Sequence, residues 1–404
     1  MLEVATLVST TVVSKLDSPN SDVESDAVVL SSVTFGDVVV PLSPLREANA
    51  AGQLDQLSLP GIANFLRSKN VPHWAFYVYG SLASFAKVTG WLPPVNARLS
   101  LAVTSDVPTA QGVSSSASVE VATMRSLAAL SGIDVPQLRI AHAAQAAENY
   151  VVGAPCGLMD QLASACGAPG RVLPILCRPD VLFEPVPLPP GVALVGWPSG
   201  VKHNVGASPY MVARTASFMG KKIAETVLGR KLAYTAEITP YELATRVAPA
   251  LPEAMTGAAF VAAHGTLDDA LSRIDSELLY PIRAALSFPV EENFRCALAQ
   301  SLLEAAGTLP RGSPQVATML EQVGELMRLT HAGYTAMGLG CHETDEIVAR
   351  LTAAGPSAGV YGARVSGGGS GGTVVVLCTE AALPTVESFA RELTFGEPFT
   401  ALIR

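Results

Sequence analysis

The chain is 404 residues long and carries a net charge of −9; 49% of its residues are hydrophobic and only 15% are charged. That length exceeds one typical domain and can bury a sizeable core, and the composition excludes a disordered chain. The acidic balance, with no basic run longer than Lys221-Lys222, argues against a nucleic-acid partner. No run of about 18 consecutive apolar residues occurs, so no membrane partner is expected. The N-terminus lacks the basic flank, hydrophobic stretch and cleavage site of a secretory signal, and the expected setting is cytoplasmic. Cys156, Cys166, Cys177, Cys296, Cys341 and Cys378 are scattered without Cys-x-x-Cys spacing, which fits reduced thiols better than zinc.

In chain order, β-branched runs predict strands over Leu2 to Val13, Ala27 to Leu42 and Asn96 to Ser105, with a polar turn at Asp17 to Asp26. Helical patterns cover Leu59 to Ser68 and Ala75 to Thr89. Next comes VPTAQGVSSSASVEV, Val107 to Val121, where a Gly/Ser-rich bend runs into a long Ala/Leu/Met-rich helix. Helices follow over Val135 to Ala147 and Met159 to Ala165, then strands over Arg171 to Leu176 and Val192 to Pro198, with Pro185 to Pro190 extended between them. Further helices are expected over Ser217 to Leu228, Ser313 to Met337 and Thr344 to Ala353, and strands flank the glycines near Gly368. The fold class is mixed α+β, in two domains.

Three segments carry the chemistry. The bend before the helix offers unpaired backbone N–H groups and a positive dipole end, with Gly112 allowing close approach and Ser114, Ser115 and Ser116 supplying hydroxyls; that suits phosphate. No Gly-Lys-Ser/Thr follows, so it is not a P-loop, and a flexible linker is the competing reading. The segment AENYVVGAPCGLMDQLASACG holds Glu148 and Asp160, one suited to a metal and the other to a hydroxyl proton. By themselves, Asp160 also suits a helix N-cap and Glu148 a solvated surface charge. In GARVSGGGSGGTVVVLC a glycine loop feeds a strand, as a ligand-facing loop or a purely structural turn would. His342, Glu343 and Asp345 in GYTAMGLGCHETDEIVARL read as a helix start at Thr344 after a bend at Gly338 and Gly340, and not as a metal cluster.

GVSSSAS and ARVSGGGSGG resemble the second and third motifs of the GHMP superfamily of kinases, and GAPCGLMDQ is similar to the segment that carries the catalytic aspartate in its galactokinase group. The longer strings GVSSSASVEVATM, ENYVVGAPCGLMDQLASACG and FPVEENFR look most like the L-arabinokinase branch of that group. The resemblance implies a two-domain GHMP kinase fold, with a ribosomal protein S5 domain 2-like N-terminal domain over 1–195 and a ferredoxin-like C-terminal domain over 196–404. It implies ATP and Mg2+ as cofactors, a monosaccharide as the partner, and transfer of the γ-phosphoryl to an anomeric hydroxyl. L-arabinose is the first acceptor to expect, with galactose or galacturonate as alternatives.

By the same resemblance Asp160 is the catalytic carboxylate and contacts the sugar together with Gly157. Ser116 and Glu148 coordinate magnesium. Gly112, Val113, Ser114, Ser115, Ser116 and Ala117 wrap the triphosphate, and Gly367, Gly368 and Gly369 close over it. SGVKHNVGASPYMVAR resembles the segment whose tyrosine faces the sugar, which points to Tyr210, although Ala207, Ser208 and Pro209 depart from the family pattern. His203 in that segment is expected to be a structural hydrogen-bonding residue. The family's first motif, Gly-Arg followed by a segment ending in Asp-Tyr, is absent, and Met1 to Val13 resembles the strand after it. The expectation is an N-terminally shortened chain; a sugar- or nucleotide-binding homologue without turnover is the alternative.

Overall fold

The run predicted as one strand from Leu2 to Val13 holds two, Leu2–Val4, which pairs with Arg171–Leu176, and Thr10–Asp17, which belongs to another sheet. The computed structural model describes residues 1–4, 9–17, 26–95, 97–154, 156–178, 180–201, 209–269 and 272–403. In it Thr10–Asp17 (β1) exposes every second side chain at its start, as a strand with one covered face must. The run predicted as one strand from Ala27 to Leu42 is two, Ala27–Ser32 (β2) and Gly36–Pro41 (β3). Gly36, with φ 81°, supplies the positive dihedral that turns one into the other. Arg98–Ser105 (β4) pairs antiparallel with β1 and parallel with β2, giving the order β1-β4-β2-β3.

Helices cover this sheet. Trp74–Thr89 (α1), Ser115–Ser131 (α2), Gln137–Ala147 (α3) and Met159–Cys166 (α4) are rich in small residues and pack closely. Ser84 Oγ donates to the Ala143 carbonyl at 2.7 Å, tying α1 to α3. Thr10 and Ser118 hydroxyls meet at 2.8 Å, fixing the start of α2 on β1. Val8–Pro108 and Ser114–Gly167 form this first compact unit; Met1–Leu7, Thr109–Val113 and Ala168–Arg404 form the second.

One of the sheets of the second unit runs Val360–Val365 (β6), Thr373–Thr379 (β7), Val192–Pro198 (β5), Phe399–Ile403 (β8), all antiparallel. Strand β5 is buried along its whole length, because both of its faces are covered. Val192 and Leu194 pack with Ile282–Gly307 (α6) and Pro314–Ala336 (α7). Ala193, Val195 and Trp197 pack with His342–Ala354 (α8) and Leu383–Leu393 (α9). A Cβ on Gly324 of α7 would lie 1.8 Å from the Tyr361 carbonyl oxygen, so glycine lets that helix meet β6 backbone to backbone. Helix Pro209–Leu228 (α5) packs against the first half of α6.

Two sequence readings need correction. Helix α6, which carries Pro289 inside it, is not among the helices expected from the sequence. Proline removes one intrahelical hydrogen bond, but burial of Ile282, Leu286 and Val290 on one side and Ala299 and Leu303 further along outweighs that loss. Helix α8 starts at His342 with Cys341 as N-cap, and Thr344 is its third residue. The Thr344 hydroxyl turns back to the Cys341 carbonyl at 3.0 Å, closing the first turn two residues earlier than the reading at Thr344 allows. His203 lies outside the described residues. Among the described residues no helix is long and apolar enough to cross a membrane.

An ion network joins α6, α7 and β6. Glu292 accepts from Thr330 Oγ1 at 2.6 Å, Arg295 Nε at 2.9 Å and Arg364 at 3.1 Å. Burial acts to raise the Glu292 carboxyl, yet the Arg364 guanidinium, the Thr330 hydroxyl and Arg295 together hold it below the ordinary range. Glu292→Leu leaves both guanidinium groups without this carboxylate and is expected to cost about 3 kcal/mol, read as a lower urea midpoint at unchanged slope. The parent's advantage is full above the unfolded carboxyl value and fades as pH falls through the lower folded one. A variant with the parent's midpoint at neutral pH contradicts this role.

Candidate active site

The loop that follows β4 bends by positive φ at Ala110 (58°), Gly112 (69°) and Ser114 (60°). Alanine and serine pay for this conformation, which argues that the loop is held to a required shape. Ser114 is the N-cap of α2 in the left-handed conformation, and its side chain makes no cap hydrogen bond. The first turn at Ser115, Ser116 and Ala117 therefore has no side-chain acceptor from its cap, which is the arrangement that receives an anion. Ser114, Ser115, Ser116 and Ala117 belong to the first unit, while Gly112 and Val113 belong to the second.

In the second unit Gln111 and Gly112 lie against the glycine loop between β6 and β7. Thr373 Oγ1 donates to the Gln111 carbonyl at 2.6 Å, and a Cβ on Gly112 would come 3.4 Å from Gly372 Cα. Gly367, Gly369, Gly371 and Gly372 all have positive φ. The loop is anchored on its other side, where Tyr334 donates its hydroxyl to the Gly367 carbonyl and the Ser370 N–H donates to the Leu339 carbonyl, both at 2.6 Å. Gln111 Oε1 and Ser370 Oγ are buried without a hydrogen-bond partner, polar atoms that a ligand can use. Gly368 sits between two of the positive-φ glycines. Tyr210, second residue of α5, is partly buried against the apolar cluster of that helix.

The carboxylates stand in the first unit. Asp160 is the second residue of α4, whose N-cap is Leu158, so it is not the cap. Glu148 opens a π-helical turn, Glu148–Val152, after α3 and is 6% exposed, so it is not a solvated surface charge. Gly157, just before α4, is exposed. The Glu148 carboxylate accepts from Gln161 Nε2 at 2.6 Å and from Cys156 Sγ at 3.4 Å, and Ser116 hydrogen-bonds it too. Ser116 and Glu148, paired on sequence grounds, are thus brought together. Burial pushes the Glu148 carboxyl up and the charge of Asp160 adds to that, against the Ser116, Cys156 and Gln161 hydrogen bonds.

Sequence reasoning passed over Glu120, Gln161 and Tyr77. Glu120 is fully buried on α2, among Ala117, Val121 and Met124. A lone carboxylate on an apolar helix face is the signal that could have found it. Burial, and next the Glu148 charge, drive the Glu120 carboxyl well above the ordinary range despite the Gln161 hydrogen bond. Burial first, and then the Glu148 and Glu120 charges, push the Tyr77 hydroxyl up to about 12.

Among the described residues no three His, Cys, Asp or Glu side chains form a metal cage. One hydroxyl and one carboxylate oxygen donor, Ser116 and Glu148, fit Mg2+, which keeps several waters and shares nucleotide phosphates instead of taking an all-protein cage.

Two expectations follow. Gly369→Val would set a branched side chain at φ 74°, where a Cβ already meets the Leu339 carbonyl oxygen at 2.7 Å and Tyr334 Cδ1 at 2.9 Å. It should lower the melting temperature; a parent-like value refutes the tight loop. Glu120 holds its proton in the folded chain at pH values where the unfolded chain has lost it, so its contribution falls as pH rises above 4.5. Glu120→Gln should therefore gain stability relative to the parent with rising pH in paired urea titrations. A pH-independent difference would contradict the buried acid.

Comparison with known proteins identifies the family. Residues 77–168 match the GHMP kinases N terminal domain and residues 316–393 the GHMP kinases C terminal domain. The L-arabinokinase of Arabidopsis thaliana is 30% identical over 387 residues, 86% of this chain and 36% of that protein. The chain thus spans little more than a third of that relative's length. The galactokinase of Bos taurus is 30% identical over 329 residues, 80% of this chain and 69% of that protein. In fold, the crystal structure of Lactococcus lactis galactokinase complexed with galactose superposes with a TM-score of 0.71 at 20% identity, over 98% of this chain and 86% of that one. With both family domains matched in order and galactokinase similarity along most of its length, this chain belongs to the GHMP kinase family.

Proposed function

We propose that the chain is an ATP-dependent sugar 1-kinase of cytoplasmic setting, with L-arabinose as its acceptor and the two family domains divided near residue 195. The observation that carries this reading is the convergence of Ser116, Glu148 and Asp160 at the head of α2: the Ser116 hydroxyl bonds Glu148, and the charge of Asp160 acts on Glu148 and on Glu120 behind it. The identity to the Arabidopsis L-arabinokinase supports the choice of acceptor, while the similarity to galactokinases keeps galactose as a second reading.

In this reading Asp160 receives the proton of the anomeric hydroxyl as its oxygen attacks the γ-phosphorus of ATP. The new O–P bond forms as the bond to the β-phosphate oxygen breaks, and ADP leaves with that electron pair. Gly157, exposed ahead of α4, lets the sugar approach the backbone. Backbone N–H groups from Gly112 to Ala117 donate to phosphate oxygens, and Gly367, Gly368 and Gly369, without side chains, suit close approach of a phosphate to their own loop. Ser116 and Glu148 hold Mg2+, which when bound neutralises phosphate charge.

The test is ADP release from Mg-ATP with L-arabinose, galactose and galacturonate in parallel. L-arabinose should give the highest kcat/KM, and release with none of the three would overturn the reading. Asp160→Asn should lower kcat by about 10²- to 10⁴-fold while calorimetric nucleotide affinity stays at the parent value. Unchanged turnover removes Asp160 from the chemistry.

A further inference from the structure

Gln161 stands between two buried carboxyl groups. Its amide nitrogen has two hydrogens, and two carboxyl acceptors lie in reach, Glu148 Oε2 at 2.6 Å and Glu120 Oε2 at 3.3 Å, with Cys156 Sγ a weaker third at 3.8 Å. Turning the amide over would set its oxygen against both carboxyl oxygens, so the nitrogen is the end that faces them. Two further oxygens are left, Glu120 Oε1 and Gln161 Oε1, both buried and both without a partner. If both carboxyl groups are ionised, each of these atoms is an acceptor with nothing to accept, an arrangement that interiors avoid. A proton on Glu120 Oε1 gives that oxygen a hydrogen to donate, and Gln161 Oε1, on the amide that already bonds Glu120 Oε2, is the unpartnered acceptor it calls for.

The proton belongs on Glu120 and not on Glu148. Glu120 is 0% exposed and receives a hydrogen bond only from Gln161 among those described, whereas Glu148 is bonded by Gln161, Cys156 and Ser116, three groups that favour a carboxylate. A planar acid–amide pair fixes the rotation of the Gln161 amide, and its second N–H then has one direction left, toward Glu148 Oε2.

We propose that Glu120 is a positioning residue: as a carboxylic acid locked against the Gln161 amide, it aims Gln161 at Glu148 and so fixes the Glu148 carboxylate for the cation of a magnesium–nucleotide complex. The orientation of the pair stands on the geometry alone; its consequence for the cation rests on the kinase reading above. Burial of Glu120 agrees with it, since desolvation of the α2 interior and the neighbouring Glu148 and Asp160 charges all favour the neutral form.

The pair is read on the nucleotide-free chain by difference infrared spectroscopy, comparing the parent with Glu120→Gln and Gln161→Leu. A protonated-carboxyl band should vanish in Glu120→Gln and move to higher frequency in Gln161→Leu, where the acid loses its amide partner. No such band, or one that Gln161→Leu leaves in place, overturns the pair. Positioning is read by calorimetry as the Mg2+ concentration that gives half-maximal binding of AMP-PNP. Glu120→Leu and Gln161→Leu should each raise it about tenfold or more, as loss of an outer partner of a metal ligand does. The double variant should be no worse than either single one, and Glu120→Gln, a neutral isostere, should restore a value near the parent's.

Parent-like Mg2+ dependence in a folded Glu120→Leu overturns the positioning role, as does a loss in Glu120→Gln equal to that in Glu120→Leu. If Glu120→Leu fails to fold, Gln161→Leu and Glu120→Gln decide the same question. A parent that binds Mg·AMP-PNP but phosphorylates no sugar refutes the kinase reading while the infrared and binding results still judge the pair.

Discussion

Negative charge confined in an apolar interior is the constraint around which the first unit is arranged. Glu120 and Glu148 come from different helical segments and meet the same amide on a third. Two buried carboxylates with one donor between them would repel each other, so a fold that keeps both must neutralise one and surround the other with donors. The helices contribute accordingly: α4 brings Gln161, the turn before it brings Cys156, and the head of α2 brings Ser116. The small residues of α1, α2 and α3 let three helices approach closely enough for these short contacts.

A second constraint is the backbone of the glycine loop in the other unit. Strands β6 and β7 leave it no freedom at its base, where the Ser366 N–H donates to the Thr373 carbonyl at 2.8 Å. Tyr334, Leu339 and Gln111 hold it from outside, and a side chain at Gly369 or Gly371 would collide with what surrounds it. The Glu292 network braces the same strand from below: Arg364 lies on β6, and His331 Nδ1 accepts from the Val365 N–H at 3.4 Å one residue before the loop begins. His331 Nε2 faces Asp345 at 3.1 Å, which fixes the imidazole with its Nδ1 lone pair toward that strand. Rigidity of the loop thus comes from ionic and backbone contacts at its edges, because glycines have no side chains to pack.

Much of the candidate site was legible before any coordinates. Ser116, Glu148 and Asp160 were named because local strings resemble family motifs; the residues by themselves left Asp160 open as a helix N-cap and Glu148 as a surface charge. Glu120 and Gln161 were missed for the opposite reason. Within SVEVATM the glutamate on an otherwise apolar face is only a weak signal, and packing of α3 and α4 over that face is what makes it a buried acid. The same contrast holds for secondary structure. Leu59–Ser68 was read to its bounds because Ser58 and the proline after Leu59 mark the start. Helix α6 was not expected, and in it Pro289, a local breaker, is overruled by distant contacts.

The sequence by itself determined the element types with strong local periodicity, the left-handed glycine turns, the family resemblance and the residue types able to handle phosphate and a proton. Those are properties of short stretches, set by backbone sterics and side-chain chemistry that act over a few residues. Only the tertiary structure decided which carboxylates are buried, which share a donor, which faces of β5 are covered and how closely the glycine loop is held. Each of these depends on dielectric and contact with groups far away in the chain, and neither is written in the neighbouring residues.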